Sequence, residues 1–345
     1  MNHRTKILSL LVGSALMFAS AKGFAQAPKP PATSVPPVIV DGPAEAFKKA
    51  QTVYQSGDLV AALVAFQAFE KKFPFSLALP DAIYYQGWCL ASQARHQEAV
   101  NVFQRLITGY VNNALVAEAI LKQAECCREL KDDKRAIELY RTFQARYPKH
   151  ELLSQAVLGE AWANFKAGNL PAAKVIINAA RQRFADNPAA ALDAWFLLGQ
   201  IYTEDKDYAA ADKVYRLITK QPPNPRTTEA LYLAAEAMFN RGEALFKDGK
   251  TDEGRQAYRD AITYYNGVRT KLELVDLVQK NVDKLRANQG RIVAESGLEA
   301  WQSQFDAVKR SLAQVKERPD LRMLALFRVA NCYQALYMPE EASVI

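Results

Sequence analysis

A unit of about 37 residues recurs six times along the chain, and its opening returns once more near the C-terminus. Repetition on that scale restricts the fold to a stacked architecture, because one short unit cannot bury its apolar face without neighbours. Each copy is anchored on a small residue followed twelve positions later by another. The pairs are Ala50/Ala62, Gly87/Ala99, Ala124/Ala136, Ala161/Ala173, Gly199/Ala211 and a weaker Gly242/Gly254.

Within the first copy, Ala50 stands in the middle of one helix and Gly57-Asp58 breaks the chain at a turn. A second helix then carries Ala62, Phe66 and Phe69 as a single apolar stripe of helical period, and Pro74 ends it. The same slots return as Ala99, Phe103 and Leu106, as Ala136, Tyr140 and Phe143, as Ala173, Ile177 and Ala180, and as Ala211, Tyr215 and Ile218. Small anchors let paired helices cross closely, while the larger side chains fill the space beside the crossing.

This arrangement resembles the tetratricopeptide repeat, and Trp195, Gly199, Tyr202, Ala211, Tyr215 and Pro223 carry the resemblance best. It covers Pro43 to about Tyr265 and resumes at Met323. The fold it implies is all-α, a right-handed superhelical solenoid of stacked antiparallel helix pairs. One slot departs from the family. The position before the first anchor, usually apolar, holds Lys49, Gln86, Gln123, Glu160, Leu198 and Arg241, which implies a rotated or wetter first helix. The longer unit looks like the bacterial envelope branch, which includes outer-membrane assembly lipoproteins and Tol–Pal-associated coordinators.

Residues 1–25 read as a signal peptide, with Arg4 and Lys6 ahead of an apolar run from Ile7 to about Ala21. Small residues offer cleavage after Ala25, the favoured site, or after Ala21. The apolar run is shorter than the ~20 residues that span a bilayer. No cysteine precedes Cys89, so the lipoprotein cleavage motif is missing. These features predict a periplasmic or secreted protein, with membrane association only through partners or an uncleaved signal. Residues 26–42, rich in proline, read as an extended linker. The formal charge is +7, and losing Arg4, Lys6 and Lys22 with the signal leaves +4. Basic residues alternate with acidic ones, which argues against a nucleic-acid surface.

Four cysteines in an exported chain invite a disulfide framework. The register opposes it. Cys89, Cys126 and Cys332 share one slot, two residues past the small anchor, and equivalent slots of adjacent helices lie roughly 8–10 Å apart. A disulfide needs Cα atoms within about 7 Å. Buried thiols acting as small apolar side chains are the expectation.

Residues 43–266 thus hold six repeats, and 267–319 break their register. Apolar residues in 267–319 keep helical spacing, with Leu298, Trp301, Phe305, Val308 and Leu312 in one stripe. The expectation is a degenerate helical pair of the same stack, the alternative an inserted coiled-coil or partner-binding hairpin. From residue 320 to 345 a further repeat begins, with Ala330, Tyr333 and Ala342 in the expected slots. Its stop in mid-helix suggests truncation.

Nothing in the sequence points to catalysis, a cofactor or a metal. His96 and His150 lack a second ligand at metal spacing, and neither a Gly-rich phosphate loop nor a GxSxG elbow occurs. The resemblance implies instead a partner groove lined by the first helix of each repeat. Transferred position by position, the groove residues are Phe47, Gln51 and Tyr54; Tyr84 and Trp88; Glu125 and Arg128; Trp162 and Phe165; Phe196 and Gln200; and Phe239, Glu243 and Phe246. Aromatic rings interspersed with polar groups suit an extended or helical peptide. The same rings could instead fill gaps between repeats, and about half are expected to be core. The Lys and Asn pair with which relatives grip a C-terminal carboxylate is absent. The resulting expectation is a non-catalytic scaffold or adaptor holding a protein or peptide within a bacterial envelope complex. The alternatives are a carrier for peptide or glycan and the regulatory repeats of a longer protein.

Overall fold

The computed structural model describes residues 41–184, 187–221, 224 and 226–337; residues 1–25, read above as a signal, most of the proline-rich segment and Ala342 lie outside them. Among the described residues there are sixteen helices and no strand. They pair as the repeat register requires: α1 (Asp41–Gln55) with α2 (Leu59–Lys72), α3 (Leu79–Ser92) with α4 (His96–Gly109), α5 (Val116–Glu129) with α6 (Asp133–Arg146), and α7 (Leu153–Lys166) with α8 (Leu170–Arg183). After these come α9 (Pro188–Glu204), α10 (Tyr208–Thr219), α11 (Thr227–Lys247) and α12 (Thr251–Asn266). The chain divides into two compact units between Leu197 and Leu198. In the first, each of α1 to α7 packs against the next, and in the second α10 packs on α11 and α11 on α12.

The bend inside each repeat has a fixed backbone solution. A residue with positive φ lies seven positions past every small anchor: Gly57, Ala94, Lys131, Gly168, Lys206, Gly249 and, in the seventh copy, Tyr337. Left-handed backbone at this point closes a helix by turning its last carbonyls onto the following N–H groups. Accordingly the Asp132 N–H donates to Cys127 O at 2.9 Å, and Asp207 N–H donates to Tyr202 O at 2.9 Å. The next side chain then starts the second helix. Asp58, Asp132, Asn169 and Asp207 each accept the N–H three residues on, at 2.9, 3.2, 3.4 and 3.1 Å.

Anchors and large residues interlock. Gly87 faces Phe103, Gly199 faces Tyr215 and Gly242 faces Tyr258, each pair within one repeat. Phe66, Phe103, Tyr140, Ile177, Tyr215 and Tyr258 are all buried at this shared slot. Of the polar residues that depart from the family pattern, Gln86, Gln123 and Glu160 are buried too, whereas Lys49 is exposed and Arg241 half-buried. Gln86 donates to Glu70 Oε2 (2.7 Å) and Gln123 to Val100 O (3.0 Å) and Gln104 Oε1 (2.9 Å). Glu160 accepts from Arg141 and Gln144, both at 2.7 Å. Each of these side chains reaches back to the second helix of the preceding repeat. At these three positions the wetter first helix takes the form of hydrogen bonds between layers.

Residues 267–319 are helical, but they do not continue the stack as expected. They form α13 (Lys271–Ala287), α14 (Gln289–Ser296) and α15 (Leu298–Glu317), which pack on one another. The next helix, α16 (Arg322–Ala335), packs directly on α12. Ala325, Val329 and Cys332 of α16 join the core of Tyr232, Phe239, Tyr258 and Tyr265. The inserted segment has its own small core of Leu274, Val278 and Val315. It is an arm of three helices inserted between α12 and α16. Its physical cause is the packing of α16 directly on α12, which leaves the segment between them outside the succession of paired helices.

The arm is pinned at its root. Glu229 of α11, 2% exposed, pairs with Arg226 (3.3 Å) and with Arg318. Asp320 accepts the backbone N–H of Lys271 (3.0 Å) and of Arg322 (2.9 Å), joining the starts of α13 and α16. The Arg322 guanidinium donates to the carbonyls of Tyr265, Asn266 and Val268 at the end of α12. Deeper in, Arg328 forms a bidentate pair with Glu236, which also accepts from Tyr265 Oη at 2.5 Å, and its guanidinium lies 4.5 Å from the Phe239 ring.

Candidate functional site

In the first unit the first helices adjoin, α3 against α5 and α5 against α7. Contacts cross this face at a spacing of 34 residues. Tyr84 Oη donates to Glu118 at 2.8 Å, and Lys122 Nζ sits 5.6 Å from the Trp88 ring while pairing with Glu125 at 2.8 Å. Arg128 pairs with Glu129 at 3.5 Å. On α7, Trp162 and Phe165 are ring neighbours at 5.2 Å, and exposed Lys166 lies over both, 4.6 and 5.7 Å from their centres. Such cation–ring contacts contribute roughly 0.5–1 kcal/mol at an exposed site.

The proposed groove residues fall into two groups. Tyr84, Trp88, Trp162, Phe196, Gln200 and Phe239 are buried. Phe47, Gln51, Tyr54, Glu125, Arg128, Phe165 and Phe246 are half-buried, and Glu243 is exposed. Phe47 packs between Phe66, Phe69 and Tyr85, and Phe246 against Tyr258, so both fill space between helices. Tyr54 lies 5.1 Å from Tyr85, and burial pushes its phenol up to about 12. Glu243 accepts from Tyr258 Oη at 2.6 Å. Within the first unit, the accessible part of the face thus consists of Gln51, Glu125, Arg128, Phe165 and the lysines that cover the two tryptophans. Lys122 and Lys166 were missed from the sequence. Their signal was a position 34 residues past Trp88 and four past Trp162.

This face carries charge and flat apolar area. His96 begins α4, and His150 accepts the Leu152 N–H at 3.2 Å and meets the Phe143 ring edge-on at 5.5 Å. All four cysteines are free and buried. Desolvation raises Cys89, Cys126 and Cys332 to about 12 and Cys127 to about 11, which removes the reactive thiolate. Among the described residues no group of three or more His, Cys, Asp or Glu could hold a metal ion, and no helix is long and apolar enough to cross a membrane.

Comparison with known proteins agrees with the architecture. A family model described as a tetratricopeptide repeat-like domain matches residues 76–287. The chain belongs to this family. Tetratricopeptide repeat domains generally act as scaffolds for protein–protein interaction. Solved structures agree at the level of fold. A tetratricopeptide repeat protein from Parabacteroides merdae is 16% identical, with 79% of this chain and 98% of that one covered, at a TM-score of 0.50. The C-terminal part of a TPR repeat-containing protein from Cytophaga hutchinsonii is 14% identical, with 79% and 99% covered, also at 0.50. No curated protein matched the chain.

Proposed function

We propose that this tetratricopeptide repeat protein is an exported, non-catalytic scaffold that holds a protein or peptide partner within a bacterial envelope complex. The observation that carries the binding role is the first-helix face of α3, α5 and α7. There Trp88 and the Trp162–Phe165 pair lie beneath lysines that a partner can displace or pair with. Aromatic area with lysine charge above it favours a peptide carrying apolar and acidic side chains. Export is supported by the charged N-terminus and apolar run of residues 1–25, and the envelope assignment by that run together with the long repeat unit.

Photocrosslinking in the native cell tests the reading. A photoreactive residue at Phe165 should capture a discrete envelope protein, while the same probe at Val64, 61% exposed on α2, should not. Equal adducts from both positions would remove the case for the first-helix face. Recovery of the full-length protein with Met1 intact from the cytoplasm would remove the case for export.

A further inference from the structure

We infer that the root of the arm binds a small oxyanion, a phosphate, sulfate or carboxylate group. A small depression, with an enclosed volume of about 10 Å³, lies where the arm leaves the stack. Its polar lining is Thr228, Glu229, Arg269, Lys271 and Arg318, over an apolar wall that includes Leu274 and Val315. Three cations therefore face one carboxylate across a small volume. That carboxylate, Glu229, is already gripped by Arg226 and Arg318. Nearby Asp320 is committed to the backbone N–H groups of Lys271 and Arg322. Glu273, which feels the charge of Arg269, is turned onto the Thr270 N–H and hydroxyl at 2.8 and 3.0 Å.

Arg269 and Lys271 thus stand at the mouth with no acid in contact among the described residues, and both retain solvent access. The floor has room for about one water-sized group, which suits a single oxygen of an oxyanion whose remaining oxygens point outward to these two side chains. Guanidinium and ammonium groups converging on one point form short, charge-assisted hydrogen bonds to oxyanions, which chloride makes less well. Arg269 and Lys271 lie where the chain enters the arm, at the start of α13, Arg318 where it returns, and Thr228 on α11. A bound oxyanion would join all three and fix the arm against the stack.

The test compares sodium phosphate, sodium acetate and sodium chloride at matched ionic strength and pH 7, using calorimetric titration and thermal melting of the full chain. Phosphate or acetate should raise the melting temperature by a few degrees beyond chloride. The double variant Arg269→Ala/Lys271→Ala should bind at least tenfold more weakly. Since it leaves the buried Arg318–Glu229 pair intact, it should fold like the parent. Hydrogen exchange should also slow at residues 269–271 and 318–321 in the parent when the anion is added. Stronger protection by phosphate identifies a free phosphate or phosphate ester, and stronger protection by acetate a carboxylate. Equal effects of all three salts, or unchanged affinity in the double variant, overturn the site.

Discussion

Gly87 and Phe103 touch so closely that a Cβ on Gly87 would lie 2.6 Å from the ring. That contact sets how near α3 and α4 approach within their repeat. Gly87→Ala should therefore cost about 1–3 kcal/mol through overpacking. Gly109, with nothing within 4 Å of an added Cβ, is the control, and Gly109→Ala should leave the melting curve nearly unchanged. Circular dichroism melts of the two variants measure the difference.

Buried Glu236 holds the Arg328 guanidinium in a bidentate pair between α11 and α16. Removing one partner strands the other, so Glu236→Leu should destabilise by about 3–5 kcal/mol. Glu236→Leu/Arg328→Met should recover most of that loss. A double-mutant cycle in urea checks both, and additive losses would show that the two side chains act separately.

Excision of the arm is the most direct test of how the second unit is layered. The Lys271 N–H and Asp320 Oδ2 are 3.0 Å apart, so the two ends of the arm meet. Replacing residues 271–319 with a short glycine linker should leave α16 seated on α12 and the remaining helices folded. Unchanged ellipticity per residue and cooperative melting are the expected outcome. Loss of cooperativity would mean that the arm supports the stack.

Stability should fall in alkali from the thiols. Burial raises Cys89, Cys126 and Cys332 to about 12, whereas an unfolded cysteine titrates near 8.5. The folded state binds those protons more tightly, so their contribution is complete below about pH 8.5 and declines as pH rises towards 12. A thiol reagent at pH 8 should find none of the four groups in the native protein and all of them in urea. Rapid native labelling would show that the helices open locally.

The repeats were legible because small anchors and large partners recur at fixed distances, and that periodicity is itself the packing code. The first-helix face was legible only in part. A ring such as Phe47 or Trp88 has the same sequence spacing whether it faces a neighbouring helix or a partner, and Lys122 lies a whole repeat away from the tryptophan it covers. The arm was ambiguous for a similar reason. Leu274, Val278 and Val315 give the helical spacing of a stack layer, and only the contact of α16 with α12 reveals that they serve a separate core. Glycine marked the bend at Gly57, but nothing in Ala94, Lys131 or Lys206 announces a left-handed backbone.

Those three corners have a wider consequence. A side chain at positive φ carries roughly 1–2 kcal/mol of strain, and glycine releases it without touching any contact between helices. Ala94, Lys131 and Lys206 are exposed, so the joints of the stack are places where its rigidity can be adjusted while its layers stay as they are. A β-branched residue at the same places would do the opposite, unfastening one repeat from within.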